Sequence, residues 1–157
     1  MAVGLMYTAS FENVSITAAA QDVWELVCAA GVGIIVHWVK LDLAPTITSG
    51  VAQDERMRLQ ICERSTTGTG GAAVTARGVH PRNTVAASTV ATRTVTTPGT
   101  IADILWSDRA SIIVPFEKIF TPDLRIPVSG GGRLCLNLAA ALSGAFNANS
   151  TICWEEI

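Results

Sequence analysis

Strict alternation of apolar and polar residues is the feature that most constrains how this chain can fold. Between Glu55 and Arg64, the apolar residues Met57, Leu59 and Ile61 occupy every second position, and the residues between them are polar or small. Successive side chains of a β-strand point to opposite faces of the sheet. The segment therefore predicts a strand that buries one face.

Three further segments predict strands. Residues 133–138 repeat the alternation with leucine at every second position, after a glycine turn at residues 130–132. Residues 150–157 predict a closing strand, since they contain β-branched and aromatic residues. Residues 32–43 predict a strand that is covered on both faces, with Ile34, Val36 and Trp38 on one face and Ile35, Val39 and Leu41 on the other.

The middle of the chain is richer in small residues. Residues 65–79 contain glycine and threonine but no aromatic or long apolar side chain, which predicts a flexible loop. Residues 84–100 contain seven threonines in seventeen positions, which predicts an exposed strand or a long arm. Thr100 and Asp103 resemble a helix capping box, so we expect one short helix that continues through Trp106.

The segment from Phe11 to Leu26 fits two secondary structures. As a helix it would align Val23, Leu26 and Ala30 on one face, and alanines 18–20 favour helix. As two strands joined by a turn at residues 18–21 it would continue the alternation found further along. The strand patterns in the rest of the chain favour the second interpretation.

Several short strands separated by loops rich in Gly, Pro and Thr predict an all-β protein, an antiparallel β-sandwich. About eight strands in this length are typical of a jelly roll. We therefore expect a jelly-roll-like single domain over residues 1–157, with at most one short helix. We also expect an extended N-terminal arm at residues 1–9.

Composition argues against several classes of protein. The net charge is −2 and the arginines are scattered, whereas a dedicated nucleic-acid-binding protein normally has a basic patch. No apolar run approaches the roughly 18 residues of a membrane span, so we expect no membrane partner. The start of the chain lacks a signal peptide pattern, and the four cysteines are therefore expected to be reduced.

The sequence offers no catalytic or metal-binding constellation. The two histidines, His37 and His80, are interpreted as a buried or interface residue and a loop residue. Cys62 has Arg58 and Arg64 nearby in sequence, but a structural thiol is the favoured interpretation. No CxxC, HExxH or phosphate-loop motif occurs. We therefore predict that the protein is not an enzyme and has no metal or cofactor.

A low charged fraction of 15% suggests surface that is buried against partners. Trp106 stands beside Ser107, Asp108 and Arg109, and it is the tryptophan most suited to an interface or to stacking on a sugar. The apolar N-terminal residues and dispersed arginines complete the candidate set. The candidate interface residues are Met1, Val3, Leu5, Met6, Arg77, Arg82, Arg93 and Trp106.

Both ends of the chain resemble a known group of proteins. Residues 11–19 and 21–26, the glycine turn and strand at residues 130–134, and the ending at residues 152–157 resemble, in the same order, small virion proteins of tailed bacteriophages. The resemblance implies a β-sandwich or jelly-roll subunit, with decoration (cement) of the phage head as its role. It implies no catalytic residues.

The function expected from this resemblance is structural. The chain would be a capsid decoration protein, a homotrimer on the capsid surface of the virion that bridges major capsid subunits after assembly in the host cytoplasm. One alternative is a structural protein of the tail, the baseplate or a head fibre. Another is a carbohydrate-binding jelly-roll module that contacts the host surface.

Overall fold

The computed structural model describes residues 4–17, 19–44, 55–80, 82–111 and 114–157, with residues 43 and 44 described by their backbone alone. Within these residues the chain forms twelve strands, one 3₁₀ turn at Pro122–Leu124 and no α-helix. The strands are β1 (Leu5–Ile16), β2 (Gln21–Val27), β3 (Ile34–Ala44), β4 (Arg56–Arg64), β5 (Ala72–Val74), β6 (Arg77–Gly78), β7 (Val90–Val95), β8 (Ile101–Ser111), β9 (Phe116–Ile119), β10 (Ile126–Val128), β11 (Arg133–Leu138) and β12 (Phe146–Glu156).

The strands form two antiparallel sheets. Sheet A has the order β10–β3–β12–β1–β6, and β9 also pairs with β3. Because β12 pairs along the whole of β3, β9 and β10 share the opposite side of that strand. Sheet B has the order β5–β7–β2–β11–β4–β8. The two sheets pack face to face around one core.

The strand pairings are nested inside one another. In sheet B, β4 pairs with β8 and β2 pairs with β11; in sheet A, β3 pairs with β9 and β10, and β1 pairs with β12. One long antiparallel hairpin that is rolled into two sheets has this nesting, and the result is a jelly roll. The predicted all-β, jelly-roll-like sandwich is confirmed.

The core joins the two sheets through aromatic side chains. Trp24 of β2 is fully buried, and its ring lies 5.0 Å from the ring of Phe11 of β1. The Trp24 Nε1 also donates a hydrogen bond of 2.8 Å to the Ser150 Oγ of β12. A polar side chain is tolerated at this depth because it is paired, and the pair fixes the position of one sheet over the other.

The segment from Phe11 to Leu26 forms strands, as the downstream alternation predicted. However, β1 and β2 do not pair with each other, because the chain crosses from sheet A to sheet B between them. A bulge between Phe11 and Val14, where Asn13 adopts a positive φ of 51°, interrupts the pairing of β1 with β12, which resumes from Val14 to Ile16. A helix is excluded because β2 is hydrogen-bonded on both sides, to β7 and to β11.

The two faces predicted for β3 are wrong beyond Val36. The buried side chains are Ile34, Val36, Val39 and Leu41, so the alternation changes phase in the middle of the strand. The pairing with β12 shifts at the same point, and His37 is the additional residue of a β-bulge. A bulge inserts one residue and so exchanges the faces that follow it. Trp38 is consequently only half-buried.

The predicted helix after Thr100 is wrong, because Ile101–Ser111 form strand β8. Pairing with β4 along its whole length overrides the local helix signal. The groups expected to form the capping box have other partners: the Thr100 N–H donates to Thr66 Oγ1 (2.8 Å), and Asp103 Oδ1 accepts from the Ile104 N–H (2.8 Å).

Two segments that were predicted without regular structure contain strands. Residues 65–79, predicted as a flexible loop, include β5 and β6. Residues 5–9, predicted as part of an extended arm, belong to β1 and pair with β12. Residues 1–3 of that arm lie outside the described residues. The threonine-rich residues 84–100 contain β7, which pairs with β2 and β5.

Candidate interaction surface

The structure divides the predicted interface residues between two opposite edges of the sandwich. Leu5 and Met6 lie in β1, Arg77 lies in β6 and Arg93 lies in β7. These strands occupy one edge of the two sheets. The remaining residues are distributed as follows: Arg82 is exposed beside β6, Trp106 lies in β8 at the opposite edge, and Met1 and Val3 lie outside the described residues.

The first edge, named here the closed edge, consists of the segment 65–100 that is inserted between β4 and β8. Its strands β5 and β7 extend sheet B beyond β2, and its strand β6 extends sheet A beyond β1. The Arg93 guanidinium lies 6.0 Å from the ring centroid of Phe11, so this arginine packs across the sandwich instead of pointing into solvent.

Hydrogen bonds from the central strands hold the insertion in place. The Glu156 carboxylate accepts from the backbone N–H groups of Ser88 (3.1 Å) and Thr89 (2.7 Å). The Tyr7 hydroxyl donates to the carbonyl oxygen of Val85 (3.3 Å), and Glu25 Oε1 accepts from the Gly68 N–H (2.9 Å). Bonds to an ionised carboxylate are among the stronger hydrogen bonds in proteins.

A buried polar network lies on the face of sheet B that points away from the core. Arg64 Nη2 donates to Asp22 Oδ1 at 2.5 Å, and both side chains are almost completely buried. Arg64 Nη1 donates to the carbonyl oxygen of Gly99 (2.8 Å), which belongs to the insertion. Asn137 Nδ2 also donates to Asp22 Oδ1 (2.8 Å). The network is structural, because it joins the insertion to the sheet beneath it.

Cys62 and Cys135 belong to the same network, directly opposite each other on β4 and β11. A hydrogen bond with Cys135 lowers the pKa of Cys62, while burial opposes that shift. The same hydrogen bond and burial raise the pKa of Cys135. Both thiols are buried, which agrees with the structural role that the sequence favoured for Cys62.

The second edge, named here the open edge, is formed by β8 of sheet B and β9 of sheet A. Most residues of β8 are exposed, and large apolar side chains are among them: Ile104 is 45% exposed and Leu105 is 41% exposed. On the other side of the opening, Val114 is 57% exposed and Ile119 is 65% exposed. Exposed apolar side chains therefore lie on both sheets at this edge.

Trp106 connects the two strands of the open edge. Its ring lies 5.6 Å from the ring of Phe116, and Lys118 Nζ lies 5.1 Å from its centroid. The side chain is half-buried by these contacts. Trp106 therefore supports the open edge from within and offers only part of its ring to a ligand.

Two concave surfaces adjoin these elements. One, of about 490 Å³, opens beside β8 and β9 and is lined by Arg56, Asp108, Arg109, Ala110, Ser111, Val114, Pro115, Phe116, Glu117 and Lys118. The other, of about 180 Å³, is a polar groove across β1, β12 and β3, lined by Ser10, Phe11, Glu12, Lys40, Asp42, Asn149, Ser150 and Thr151.

The histidines do not form a catalytic arrangement with these surfaces. His37 Nε2 lies 3.1 Å from Glu155 Oε2, and both side chains are mostly buried. His80 is exposed, and its Nδ1 accepts from the Arg82 N–H (3.1 Å). In the part of the chain that the structure describes, no three His, Cys, Asp or Glu side chains are grouped in a way that would hold a metal ion.

The described residues also contain no helix that is long and apolar enough to cross a membrane. Comparison with known proteins returned no matching family model, no matching curated protein and no matching solved structure. The fold and the two edges are therefore the observations from which a function can be argued.

Proposed function

We propose that this protein is a non-enzymatic structural component of a tailed-bacteriophage virion. In this proposal it is a decoration protein on the capsid surface that stabilises the head by bridging neighbouring major capsid subunits. The open edge supports the proposal most directly, because it combines a long, exposed outer strand with apolar side chains on both sheets. A decoration protein needs such a surface to bury against its partner.

The resemblance at the two ends of the chain also supports the proposal. The segments that carry it include the second half of β1 and the second half of β12, which are neighbouring strands of sheet A. They also include most of β2 and the start of β11, which are neighbours in sheet B. A jelly roll is also common among viral capsid proteins, although lectins and cupins share this architecture.

The physical role follows from linkage between binding and assembly. A protein that binds the assembled shell and not the free subunit shifts the equilibrium towards the shell. A homotrimer would present three such surfaces at once, so that weak individual contacts add up to tight attachment. The trimer stays a prediction, and light scattering of the purified protein would measure its mass.

A sedimentation experiment tests the proposal. The purified protein is mixed either with mature capsids or with unassembled major capsid protein, and the bound fraction is measured. We expect binding to capsids and none to the free subunit, together with a higher temperature of capsid disruption. Absence of binding to capsids would contradict the proposal, and binding elsewhere on the particle in a reconstruction would favour a tail, baseplate or fibre role.

The polar groove on sheet A favours one second candidate, a carbohydrate-binding module. Hydroxyl and carboxylate groups line it, and Ser10 Oγ lies 2.9 Å from Thr151 Oγ1. Such groups pair with sugar hydroxyls. A glycan array on the wild type and on an Asn149→Ala variant would test it: a hit that this variant loses would favour the carbohydrate-binding role.

A further inference from the structure

An arginine triad on the outer face of sheet B, beside the open edge, points to the chemistry of the partner. Arg56 and Arg58 alternate with Met57 and Leu59, whose side chains are buried in the core. The arginines therefore project from the outer face of sheet B. Arg109 of β8 lies directly opposite Arg58 in the register, so that it projects from the same face. All three side chains are exposed.

The backbone geometry brings two of these arginines especially close together. The Arg58 carbonyl accepts from the Ala139 N–H (2.9 Å), so the backbone polar groups of Arg58 point towards β11 and away from β8. Arg58 and Arg109 therefore form a non-hydrogen-bonded pair, the type in which opposite side chains lie closest. Like charges in that position destabilise a sheet.

None of the described residues forms an ion pair with the three guanidinium groups, since the ion pairs among them are Asp22–Arg64 and His37–Glu155. Two carboxylates, of Asp108 and Glu117, line the same concavity as Arg56 and Arg109. Glu55, which precedes Arg56, accepts hydrogen bonds from the N–H and the hydroxyl of Ser143. In a chain with a net charge of −2, this is a local concentration of positive charge.

The unpaired side of β8 is poorly suited to the addition of another strand. Because Arg109 does not pair through its backbone with Arg58, its N–H points towards the free side, where Asp108 Oδ1 accepts it at 2.7 Å. Asp103 Oδ1 accepts a hydrogen bond from the Ile104 N–H in the same way. The register of β8 also shifts at two positions. Bulges and charged side chains of this kind discourage edge-to-edge pairing.

We propose that the arginine triad binds an acidic segment of a partner polypeptide through side-chain carboxylates, without addition of a strand to β8. This inference rests on the proposed function, in which that partner is the major capsid protein. Guanidinium groups bind carboxylates in a bidentate manner. A protein partner is favoured over a nucleic acid because the apolar side chains of Val114, Pro115 and Phe116 line the adjoining concavity, where apolar side chains of a polypeptide can pack.

Fluorescence anisotropy on the full chain tests the inference directly. The probe is a fluorescein-labelled peptide of alternating glutamate and valine, and its matched control replaces glutamate with glutamine. We expect only the glutamate peptide to bind, with affinity that falls as salt is raised. The R58Q/R109Q variant should bind it at least about tenfold more weakly, while R77Q/R82Q, which removes the same charge at the closed edge, should bind normally.

Several outcomes would overturn the inference. Equal losses in the two variants would show that only net charge matters, and tighter binding of a single-stranded oligonucleotide would show a nucleic-acid site. Concentration-dependent self-association that R58Q/R109Q abolishes would show that the partner is a second copy. Capsid sedimentation separates the two proposals: if wild type and R58Q/R109Q bind capsids equally, the inference fails while the proposed function stands.

Discussion

The closed and open edges of this jelly roll differ in how the outer strands of the two sheets are protected. At the closed edge, the inserted strands β5, β6 and β7 extend both sheets, and the carboxylates of Glu25 and Glu156 accept hydrogen bonds from the backbone of the insertion. At the open edge, β8 and β9 end their sheets and leave apolar side chains in solvent. The comparison indicates that substitutions at the first edge should change stability, whereas the proposed function predicts that substitutions at the second should change binding.

Unpaired strand edges explain why this difference matters. An exposed edge is a site of unwanted association unless it is covered or modified. The insertion ends one edge in the short strands β5 and β6, whereas the longer β8 of the open edge is protected locally by Asp103, by Asp108 and by its bulges. A surface that must bind a partner cannot be covered permanently, and partial protection is consistent with that requirement.

The largest effect is expected beneath the closed edge. Arg64→Met leaves the Asp22 carboxylate buried without its cation, and we expect the free energy of unfolding to fall by about 3–5 kcal/mol. Chemical denaturation measures it. The double variant D22N/R64M should recover part of the loss, since no unpaired charge remains, and Arg77→Met should be nearly neutral. A neutral Arg64→Met would mean that the network does not hold the insertion.

A smaller loss is expected from Glu156→Ala. This change removes the acceptor for the Ser88 and Thr89 N–H groups, and hydrogen bonds to charged groups contribute about 1.5–3 kcal/mol each. We expect a loss of about 2 kcal/mol and faster tryptic cleavage near Arg82, measured by limited proteolysis. Glu12→Ala, at an exposed carboxylate, is the control. Unchanged cleavage would show that the insertion is held by other contacts.

Substitutions at the open edge should weaken capsid binding and should change the free energy of unfolding very little. Ile104→Ser and Ile119→Ser alter exposed side chains, so we expect stability to change by no more than about 0.5 kcal/mol. Capsid binding should weaken about tenfold or more, because apolar contact area is lost. Val85→Ser, exposed at the closed edge, should retain binding. If all three variants bind alike, the open edge is not the contact surface.

The smallest effect is expected from removal of the two carboxylates that protect β8 from edge-to-edge association. The D103A/D108A variant frees the backbone N–H groups of Ile104 and Arg109 for other partners. We expect a modest increase in concentration-dependent association, measured by light scattering, with no change in the thermal midpoint beyond about 2 °C. Asp123→Ala, in the 3₁₀ turn, should behave as the wild type does. Unchanged association would show that the bulges alone protect this edge.

The parts of the fold that the sequence predicted well depend on alternation. The pattern in β4 and β11 identified the core-facing side chains correctly, because side chains of a strand alternate between the two faces of its sheet. The prediction that only one face is buried was wrong for β11 and for the second half of β4, where Gln60, Cys62 and Asn137 on the other face are buried as well. The sequence pattern failed in β3, where a bulge at His37 changes the phase, and at β8, where pairing with β4 outweighs a local capping signal. Neither event has a local sequence signal, since both depend on the neighbouring strand.

The candidate surface was predictable only in part. Trp106 was identified from its polar neighbours, and it does lie at the open edge. The other candidates that the structure describes lie at the closed edge, where Arg93 packs on Phe11. Alternation in β4 puts Arg56 and Arg58 on one face, but only the register with β8 shows that Arg109 lies opposite Arg58.

The sequence by itself determined the all-β class and which side chains face the core in the regular strands, because alternation acts on neighbouring residues. The tertiary structure decided which strands pair, how segment 65–100 covers one edge, and which charges meet. Those features depend on contacts between residues far apart in the chain, such as Asp22 with Arg64 and Arg58 with Arg109. Such contacts are set by register, which is fixed only when the whole sandwich has formed.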